Sequence, residues 1–378
     1  MELLILKENL KIGLGIIERI ASKSLSLPIL NNVLLSSDGN FLCLTATDLE
    51  IAVHYWALSK TEKEGKIVVP AKLLSGFIAS IPEEKILLKT VDNILRAETN
   101  NFKTKINGFS PDEFPIIPKV RDEISIEVNS APFCQGLSKV YKYATQNQAR
   151  PEISGVYIVF WGNQARLTAT DSFRLAEKKL SFDNEKAGGG LEEKSFIVPL
   201  KTINELVNVG ADKKGKLKIC LDVNQAMFEF KEEGSGRPQL QIISRLIEGE
   251  YPAYQDIIPK QYATQVVLDK DKFNSHLKTA SLFSGRVNEV KIKVDPKKQE
   301  ILISSQGAEH GENNSILEGK VQGEEMAASF NWRFLIDGLS NMQSSEVLFG
   351  LNGEDGAAVL QPVGDATYTY IVMPIKAS

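Results

Sequence analysis

The strongest constraint on this chain is a pentapeptide, LTATD, which occurs twice, at residues 44–48 and 167–171. The sequence before each copy also matches. LPILNNVLL at 27–35 corresponds to RPEISGVYI at 150–158, and the proline lies equally far from the aspartate in both. Similar segments in the same order indicate a repeated structural unit. We therefore expect a duplicated domain, in which the two aspartates lie far apart and cannot form one catalytic pair.

The sequence after each LTATD continues the match. IVVPAKLLSGFIASIP at 67–82 and FIVPLKTINELVNVG at 196–210 each have a β-branched run that ends in Val-Pro, then a lysine among apolar residues at helical spacing. Another amphipathic helix is predicted before each LTATD, after the strand-like segments LLIL and ISIEV. The apolar faces of these two helices are Leu10, Leu14, Ile17 and Ala21, and Phe133, Leu137, Tyr141 and Ala144.

Proline-rich segments mark the boundaries between the units. SPDEFPIIP at 110–118 and GEYPAYQDIIP at 249–259 each precede another strand-like segment and helix. After the second boundary, Phe273, Leu277 and Ala280 form one helix face, so a third and more diverged copy begins there. In that copy EILISSQ stands where LTATD stood, and FNWRFLIDGLSNM stands where VPAKLLSGFIASI stood. We predict three α+β domains, at residues 1–121, 122–258 and 259–378, each with two helices on one side.

Composition limits the class of protein. Of the 378 residues, 43% are hydrophobic and 24% are charged, which is typical of a soluble globular protein. No apolar run is long enough for a membrane span, and no leader for secretion is evident. The scattered Cys43, Cys134 and Cys220 are interpreted as reduced core thiols, which favours a cytoplasmic location. The net charge of −4 excludes a surface that is basic throughout but leaves room for a local basic face.

Catalytic and cofactor motifs are missing from the sequence. The histidines His54, His276 and His310 have no metal-binding spacing with cysteines or carboxylates. No Gly-x-Ser-x-Gly elbow occurs, and AGGG at 187–190 lacks the Lys-Ser/Thr of a phosphate loop, so we interpret it as a hairpin loop. We expect no enzymatic activity, no metal and no cofactor.

Several ordered motifs together resemble one known family. LPILNNVLL followed by LTATDLEIAV, the DEFP boundary, ATDSFRLAE, the YPAY boundary and the C-terminal YIVMPIK resemble the bacterial DNA polymerase III β subunits, the replication sliding clamps. The resemblance covers essentially the whole chain. It implies three clamp domains per protomer and a head-to-tail dimeric ring, with helices lining the inside and antiparallel sheets outside. Such a ring encircles duplex DNA, has no catalytic activity and tethers a polymerase to its template.

Basic residues of the predicted helices lie away from the apolar faces. One interpretation is that they only keep the helices soluble. The other is that helices on one inner wall attract DNA phosphates without reading bases. These residues are Lys7, Lys11, Arg19, Lys23, Lys72, Lys139, Lys142, Lys201, Lys272, Lys278 and Arg333.

The resemblance also implies specific DNA-contacting positions. Ser24 stands where clamps can place an arginine, and Pro151 and Glu152 stand where aromatic residues can follow the loop, so we expect Lys23 and Arg150 to act instead. The predicted set is Lys23, Ser24, Lys72, Asn147, Gln148, Arg150, Pro151, Glu152 and Lys201.

The second implied site is an apolar pocket between the second and third domains, which takes an extended peptide from a partner. Each apolar member taken singly could instead be core, and Phe173 departs from the Gly-His sequence of some clamps. The predicted set is Ile153, Thr170, Ser172, Phe173, Arg174, Leu175, Pro252, Ile257, Ala358, Ile371, Val372, Met373, Pro374 and Ile375, with Lys376 at the rim.

The implied joint between two copies pairs the second helix of the first domain with the first helix of the third. The predicted contacts are Leu73, Phe77, Ile78, Leu282 and Phe283, although core packing is an equal alternative for Leu73 and Ile78. The implied partners are double-stranded DNA of any sequence, the polymerase α subunit, the clamp loader, other proteins with a clamp-binding motif, and a second copy. The competing hypothesis is a non-replicative scaffold of repeated domains that binds peptides without encircling DNA.

Overall fold

One pattern of elements is repeated three times in the computed structural model, which describes residues 1–21, 27–121, 124–147, 149–182, 193–231, 237–308 and 310–376. In each copy a strand leads into a first helix and three strands follow. A further strand then leads into a second helix, and three strands close the copy. The predicted α+β repeat is confirmed. The AGGG segment at 187–190 lies outside the described residues.

The elements have the following bounds. The first copy contains α1 (Lys7–Ile20), α2 (Ala71–Ser80), β1 (Glu2–Leu6), β2 (Asn32–Asp38), β3 (Phe41–Thr47), β4 (Ile51–Lys63), β5 (Lys66–Pro70), β6 (Lys85–Val91), β7 (Ile94–Glu98) and β8 (Lys103–Asn107). The second contains α3 (Ser130–Val140), α4 (Leu200–Gly210), β9 (Ile124–Asn129), β10 (Gly155–Trp161), β11 (Gln164–Thr170), β12 (Arg174–Ser181), β13 (Lys194–Pro199), β14 (Lys216–Leu221), β15 (Gln225–Lys231) and β16 (Leu240–Arg245). The third contains α5 (Lys270–Ser281), α6 (Trp332–Ser340), β17 (Thr264–Asp269), β18 (Glu289–Asp295), β19 (Glu300–Gly307), β20 (Gly311–Glu318), β21 (Lys320–Gly323), β22 (Met326–Asn331), β23 (Glu346–Leu351), β24 (Ala358–Pro362) and β25 (Tyr368–Val372).

The first helices form where apolar residues recur at helical spacing. In α1 the side chains of Leu10, Leu14 and Ile17 are buried, as predicted. A Cβ atom added to Gly13 would lie 2.4 Å from the ring of Tyr55, so only glycine lets α1 approach β4 this closely. The helix can therefore pack directly on the sheet.

Helix α3 is shorter than predicted. It ends at Val140, the chain continues as a 3₁₀ turn (Tyr141–Tyr143), and Ala144 lies beyond that turn. The predicted face of α5 is confirmed, because Phe273, Leu277 and Ala280 are all buried.

Two antiparallel sheets run across the boundaries between copies. Strand β4 pairs with β16, which joins the first and second copies in one twelve-stranded sheet. Strand β12 pairs with β25, which joins the second and third copies in a nine-stranded sheet. The third sheet has four strands in the order β20-β19-β18-β22. Strand β8 lies at the edge of the first sheet and β20 at the edge of the third.

The helices of each copy pack as a pair on the sheets. Helix α1 contacts α2 and β4, α3 contacts α4 and β12, and α5 contacts α6 and β20. Cys43, Cys134 and Cys220 are free and buried, as predicted. Among the residues that the structure describes, no helix is both long and apolar enough to cross a membrane.

Candidate functional site

The two LTATD segments form the same turn. The Asp48 carboxylate accepts hydrogen bonds from the backbone N–H groups of Glu50 and Ile51, at 3.0 and 2.9 Å. Asp171 accepts the corresponding bonds from the N–H groups of Phe173 and Arg174, both at 3.0 Å. The side chain thus holds a turn between two strands, as predicted.

The residue after each aspartate has the same backbone conformation. Leu49 and Ser172 both have a φ of 78°, a left-handed conformation that residues other than glycine seldom adopt. In both turns the preceding threonine hydroxyl accepts a hydrogen bond from the backbone N–H of this residue, at 3.0 Å in the first and 3.1 Å in the second. The backbone of the repeat is therefore preserved, while the side chains that the turn presents differ.

Each turn is joined to the next copy by the same strand register. Ile51 is paired with Ser244, and Arg174 with Val372. Beyond these pairs, the Arg245 N–H donates to Glu50 O at 2.9 Å. The Met373 N–H donates to Phe173 O at 2.8 Å in the same way. The two junctions share one backbone frame.

Most predicted pocket residues meet at the junction of the second and third copies. Ile153, Leu175 and Ile371 are buried in one apolar cluster with Tyr251 and Tyr254. In this conformation they act as core, the alternative considered from the sequence, and form walls that a partner would not touch directly. Thr170, Ala358, Val372 and Pro374 are buried as well. The exposed or half-buried members are Ser172, Phe173, Arg174, Pro252, Ile257, Met373 and Ile375.

Phe173 is the most prominent apolar residue of this surface. Its side chain is 61% exposed, and its ring stacks on Phe334 of α6 at a centroid distance of 6.5 Å. The Arg174 guanidinium lies over the Phe334 ring at 4.5 Å and forms ion pairs with Asp171 and Asp337. The third copy thus supplies an aromatic floor through α6. Sequence reasoning missed Phe334 and Asp337, although their helix was predicted.

Burial shapes the ionisation of the tyrosines behind this surface. Desolvation, and then the neighbouring Tyr254 hydroxyl, raise the pKa of Tyr251 well above its ordinary value. Desolvation and the Glu177 carboxylate raise the pKa of Tyr254 in the same direction. The Tyr254 hydroxyl donates to Glu177 at 2.7 Å and accepts from the Thr168 hydroxyl at 2.9 Å. Both tyrosines therefore remain neutral and fix the linker that forms one wall of the pocket.

The loop predicted to touch DNA reaches the pocket turn. The Arg150 side chain forms an ion pair with Glu152 at 3.0 Å and donates to the Ser172 hydroxyl at 2.9 Å. A backbone hydrogen bond, followed by the bond from Arg150, lowers the pKa of Glu152. Asn147 is exposed and its side chain holds the turn of this loop. Pro151 is also exposed, whereas Lys23, Ser24 and Gln148 lie outside the described residues.

Some of the basic residues assigned to DNA are engaged at the junctions. Arg19 of α1 is paired with Glu205 of α4, and Lys201 of α4 is paired with Asp48. The Lys139 ammonium donates to the Asn341 backbone carbonyl at 2.7 Å, and burial lowers its pKa. The expectation that every basic helix residue faces DNA therefore needs correction. The exposed members are Lys11, Lys72, Lys142, Lys272, Lys278 and Arg333.

The residues predicted at the joint between copies divide into two groups. Leu73 and Leu282 are 57% and 70% exposed, and Phe77 and Phe283 are half-buried. Ile78 is fully buried in the core of the first copy. Its predicted contact with a second copy is corrected to core packing, because the apolar side of α2 that faces the sheet includes it.

Models of the three domains of one protein family match the chain in order. The N-terminal domain of the DNA polymerase III beta subunit matches residues 1–118, the central domain 127–253 and the C-terminal domain 255–376. The chain belongs to the DNA polymerase III beta subunit family. Members of this family are sliding clamps, non-catalytic processivity factors of the polymerase, and the function of this chain is that of a clamp. The alternative of a non-replicative scaffold is not supported.

Relatives of this beta subunit match over nearly their whole length. The chain is 26% identical to the beta sliding clamp of Synechocystis over 400 residues, which cover 100% of the chain and 99% of that relative. It is 25% identical to the beta sliding clamp of Staphylococcus aureus, covering 93% of each. The fold matches the beta subunit of Pseudomonas aeruginosa, with a TM-score of 0.92, 22% identity and full coverage of both chains. A Pseudomonas aeruginosa clamp bound to griselimycin has the same TM-score at 21% identity and full coverage.

The described part of this beta subunit offers no metal centre. No group of three histidine, cysteine or carboxylate side chains lies close enough to hold an ion among residues 1–376, apart from the undescribed positions. The residues that remain of interest are those that contact other molecules, on the helices and at the junctions.

Proposed function

We propose that two copies of this clamp close head to tail around duplex DNA, with the exposed helix cations facing phosphates and the junction of the second and third copies holding partner peptides. The partners are the polymerase α subunit, the clamp loader and other proteins with a clamp-binding motif. The domain limits are 1–121, 122–258 and 259–378. A cytoplasmic location is supported by the free, buried cysteines.

The observation that carries this proposal is the strand pairing at the junctions. The fourth strand of the first copy, β4, pairs with the last strand of the second, β16. Its counterpart β12 pairs with the last strand of the third copy, β25. By the same rule the next counterpart, β20, pairs with β8 of a second molecule. Both are edge strands, which present a row of backbone donors and acceptors to a partner.

The register of the proposed pair can be counted from equivalent hydrogen bonds within the chain. These are the bonds from Phe109 N to Val68 O (2.9 Å), from Ile247 N to Ile197 O (3.0 Å) and from Ile375 N to Ser329 O (2.7 Å). They place Ile106 of β8 in the position that Ser244 and Val372 occupy in the other junctions.

The register on the other strand follows from the turns. The equivalent pairs across these turns are Thr47 with Ala52, Thr170 with Leu175, and Gln306 with Glu312. Glu312 therefore takes the place of Ala52 and Leu175. In the proposed pair it faces Lys105 of the second molecule, and both side chains are exposed in the single chain. Opposite charges directly across a strand pair favour this register.

The helices support the same closure. At the first junction α1 meets α4 through Arg19 and Glu205. At the second, the Tyr143 hydroxyl after α3 donates to the Asp337 carbonyl of α6 at 2.8 Å. The third pair of this kind is α5 with α2 of the second molecule, which brings Leu282 and Phe283 against Leu73 and Phe77. Burying these apolar side chains stabilises the joint.

Retention on DNA of different topology tests encirclement. The protein is loaded on a nicked circular plasmid with a clamp loader, and half of the sample is then cut once by a restriction enzyme. We expect the clamp to stay on the circle and to leave the linear DNA by sliding off its ends. Equal loss from both substrates would contradict a closed ring.

A further inference from the structure

We propose that the junction of the first and second copies carries a second peptide pocket, selective for an apolar side chain next to a carboxylate. This site is separate from the pocket between the second and third copies. The inference rests on the described contacts of this junction and does not depend on which protein occupies the other pocket.

The backbone frame of the two junctions is the same. The Arg245 N–H donates to Glu50 O at 2.9 Å, as the Met373 N–H does to Phe173 O at 2.8 Å. The strands beyond these bonds continue in one register, with Ile243 opposite Ala52 and Ile371 opposite Leu175. A segment that docks on one frame meets equivalent backbone groups on the other, so the side chains decide what each junction can hold.

The first junction contains a cavity of about 210 Å³. It lies between the first LTATD turn, the proline-rich linker and strand β16. This volume is below the roughly 300 to 1,000 Å³ of sites for small molecules, and it suits one or two side chains of a peptide. The residues that line it include Leu49, Ala52, Pro115, Ile116, Ile117 and Ile243.

The room comes from one difference between the junctions. Ala52 presents a methyl group where the equivalent Leu175 presents an isobutyl group, and Leu175 is buried against its neighbours. At the first junction that space is left to a ligand. Filling it with apolar atoms would remove apolar surface from water, which favours binding.

Two apolar side chains stand at the mouth of the cavity. Ile116 of the linker is 94% exposed, and Leu49 is 47% exposed. Leu49 has the positive φ of the turn, a conformation that is strained for a bulky residue. The second junction has Ser172 at that position. A leucine held there contributes apolar contact area to a bound segment that a serine cannot provide.

The charges at the rim select the occupant. Arg245 is exposed, and its guanidinium forms no ion pair with a carboxylate of the described residues. It replaces the apolar Met373, and Glu50 replaces Phe173 on the opposite rim. A carboxylate beside the apolar anchor would accept hydrogen bonds from Arg245, which are stronger than bonds between neutral groups. Glu50 repels a second acid on its side and so sets the direction of the peptide.

Methyl NMR of the full chain tests the site with a defined probe. The probe is the peptide acetyl-Ser-Asp-Leu-Leu-Asp-Ser-amide, and its matched control has asparagine in place of both aspartates. We expect the Leu49 and Ile116 methyl signals to shift with the aspartate peptide. The asparagine peptide should bind about tenfold more weakly, the size expected for a hydrogen bond to a charged group. The Ile257 methyl reports the other pocket independently.

Variants make the result specific. Arg245→Met should abolish the preference for aspartate, and Ala52→Leu should fill the cavity and abolish the shifts at Ile116. Because a larger core side chain can disturb folding, the exposed Ile116→Ala variant is measured too and should also weaken binding. Shifts confined to Ile257, equal affinity for the two peptides, or unchanged binding to Ala52→Leu would each overturn the proposal. Loss of DNA retention is a separate result that bears on the ring.

Discussion

Arg19 of α1 and Glu205 of α4 form an ion pair across the boundary between the first and second copies, with Arg19 Nε and Nη2 each 2.9 Å from Glu205 Oε2. The Glu205 carboxylate is buried and the Arg19 guanidinium is partly exposed. Replacing Arg19 by alanine leaves a buried charge without its partner. We expect the free energy of unfolding to fall by about 1–3 kcal/mol, somewhat less than for a fully buried pair.

Urea denaturation measures this change. The Glu205→Gln variant and the double variant complete a mutant cycle that isolates the pair from other effects. If Arg19→Ala unfolds at the same urea concentration as the unaltered chain, the pair does not stabilise the junction.

The proposed strand pair between molecules predicts a charge-swap rescue. Lys105→Glu places two carboxylates opposite each other, so we expect the dimer to dissociate at a higher protein concentration. The double variant Lys105→Glu, Glu312→Lys restores opposite charges and should dimerise like the unaltered chain. Sedimentation equilibrium gives the dissociation constants. Lys297→Glu, on an exposed turn between β18 and β19, serves as the control for net charge. A swap that fails to restore the dimer would argue against this register.

His54 predicts an acid-sensitive first junction. It lies on β4 opposite Gln241 of β16, and burial lowers its pKa from 6.5 to about 4. As the pH falls below 6.5 the unfolded chain binds a proton that the folded chain does not bind until about pH 4. Stability is therefore lost across this window, by up to about 3 kcal/mol.

The His54→Gln variant isolates this contribution from the carboxylates that titrate at similar pH. Urea denaturation at several pH values between about 4 and 6.5 should give a smaller acid loss in the variant. Parallel pH profiles for the two proteins would show that His54 is not responsible.

The division of the lysines predicts different effects on DNA binding. Lys142 and Lys278 are exposed, so replacing both with alanine should lower the slope of log affinity against log salt by about 0.9 for each phosphate that is no longer neutralised. Lys201→Ala should leave that slope unchanged, because its ammonium is held by Asp48. Fluorescence anisotropy on duplex DNA at several salt concentrations measures the slopes. A change with Lys201→Ala as large as with the others would place this lysine on DNA as well.

Phe173 predicts a hot spot for partner peptides. Its exposed ring stacks on Phe334, so an apolar anchor can pack against an ordered aromatic surface. We expect Phe173→Ala to weaken the binding of a clamp-binding peptide about tenfold. The control is Val223→Ala, which removes an exposed apolar side chain from the turn between β14 and β15. Isothermal titration measures both affinities, and equal values would exclude Phe173 from the contact.

The sequence predicted the repeat and the helix faces because both depend on local spacing. The buried positions Leu10, Leu14 and Ile17 follow directly from helical periodicity. The length of α3 was wrong because Tyr141 continues the same periodicity while the backbone tightens to a 3₁₀ turn. Periodicity alone does not distinguish these two conformations at a helix end.

The partners across the junctions could not be predicted in this way. Arg19 and Lys201 have the pattern of exposed helix cations, and only the placement of the next copy gives them Glu205 and Asp48. Ile78 has the same limitation, because a helix carries apolar residues both toward its own core and toward a neighbour. Phe334 was missed for the opposite reason, since its role depends on stacking with a residue from another copy.

The edge strand β20 has mainly polar, outward-facing side chains, among them Glu312, Asn313 and Asn314. In the proposed ring, this strand and β8 form a seam that can be unzipped while little hydrocarbon becomes wet. The two joints inside each chain bury apolar clusters and are covalently linked, so they would part last. A loading machine that prises the seam apart would therefore leave both halves folded and ready to reseal behind the DNA.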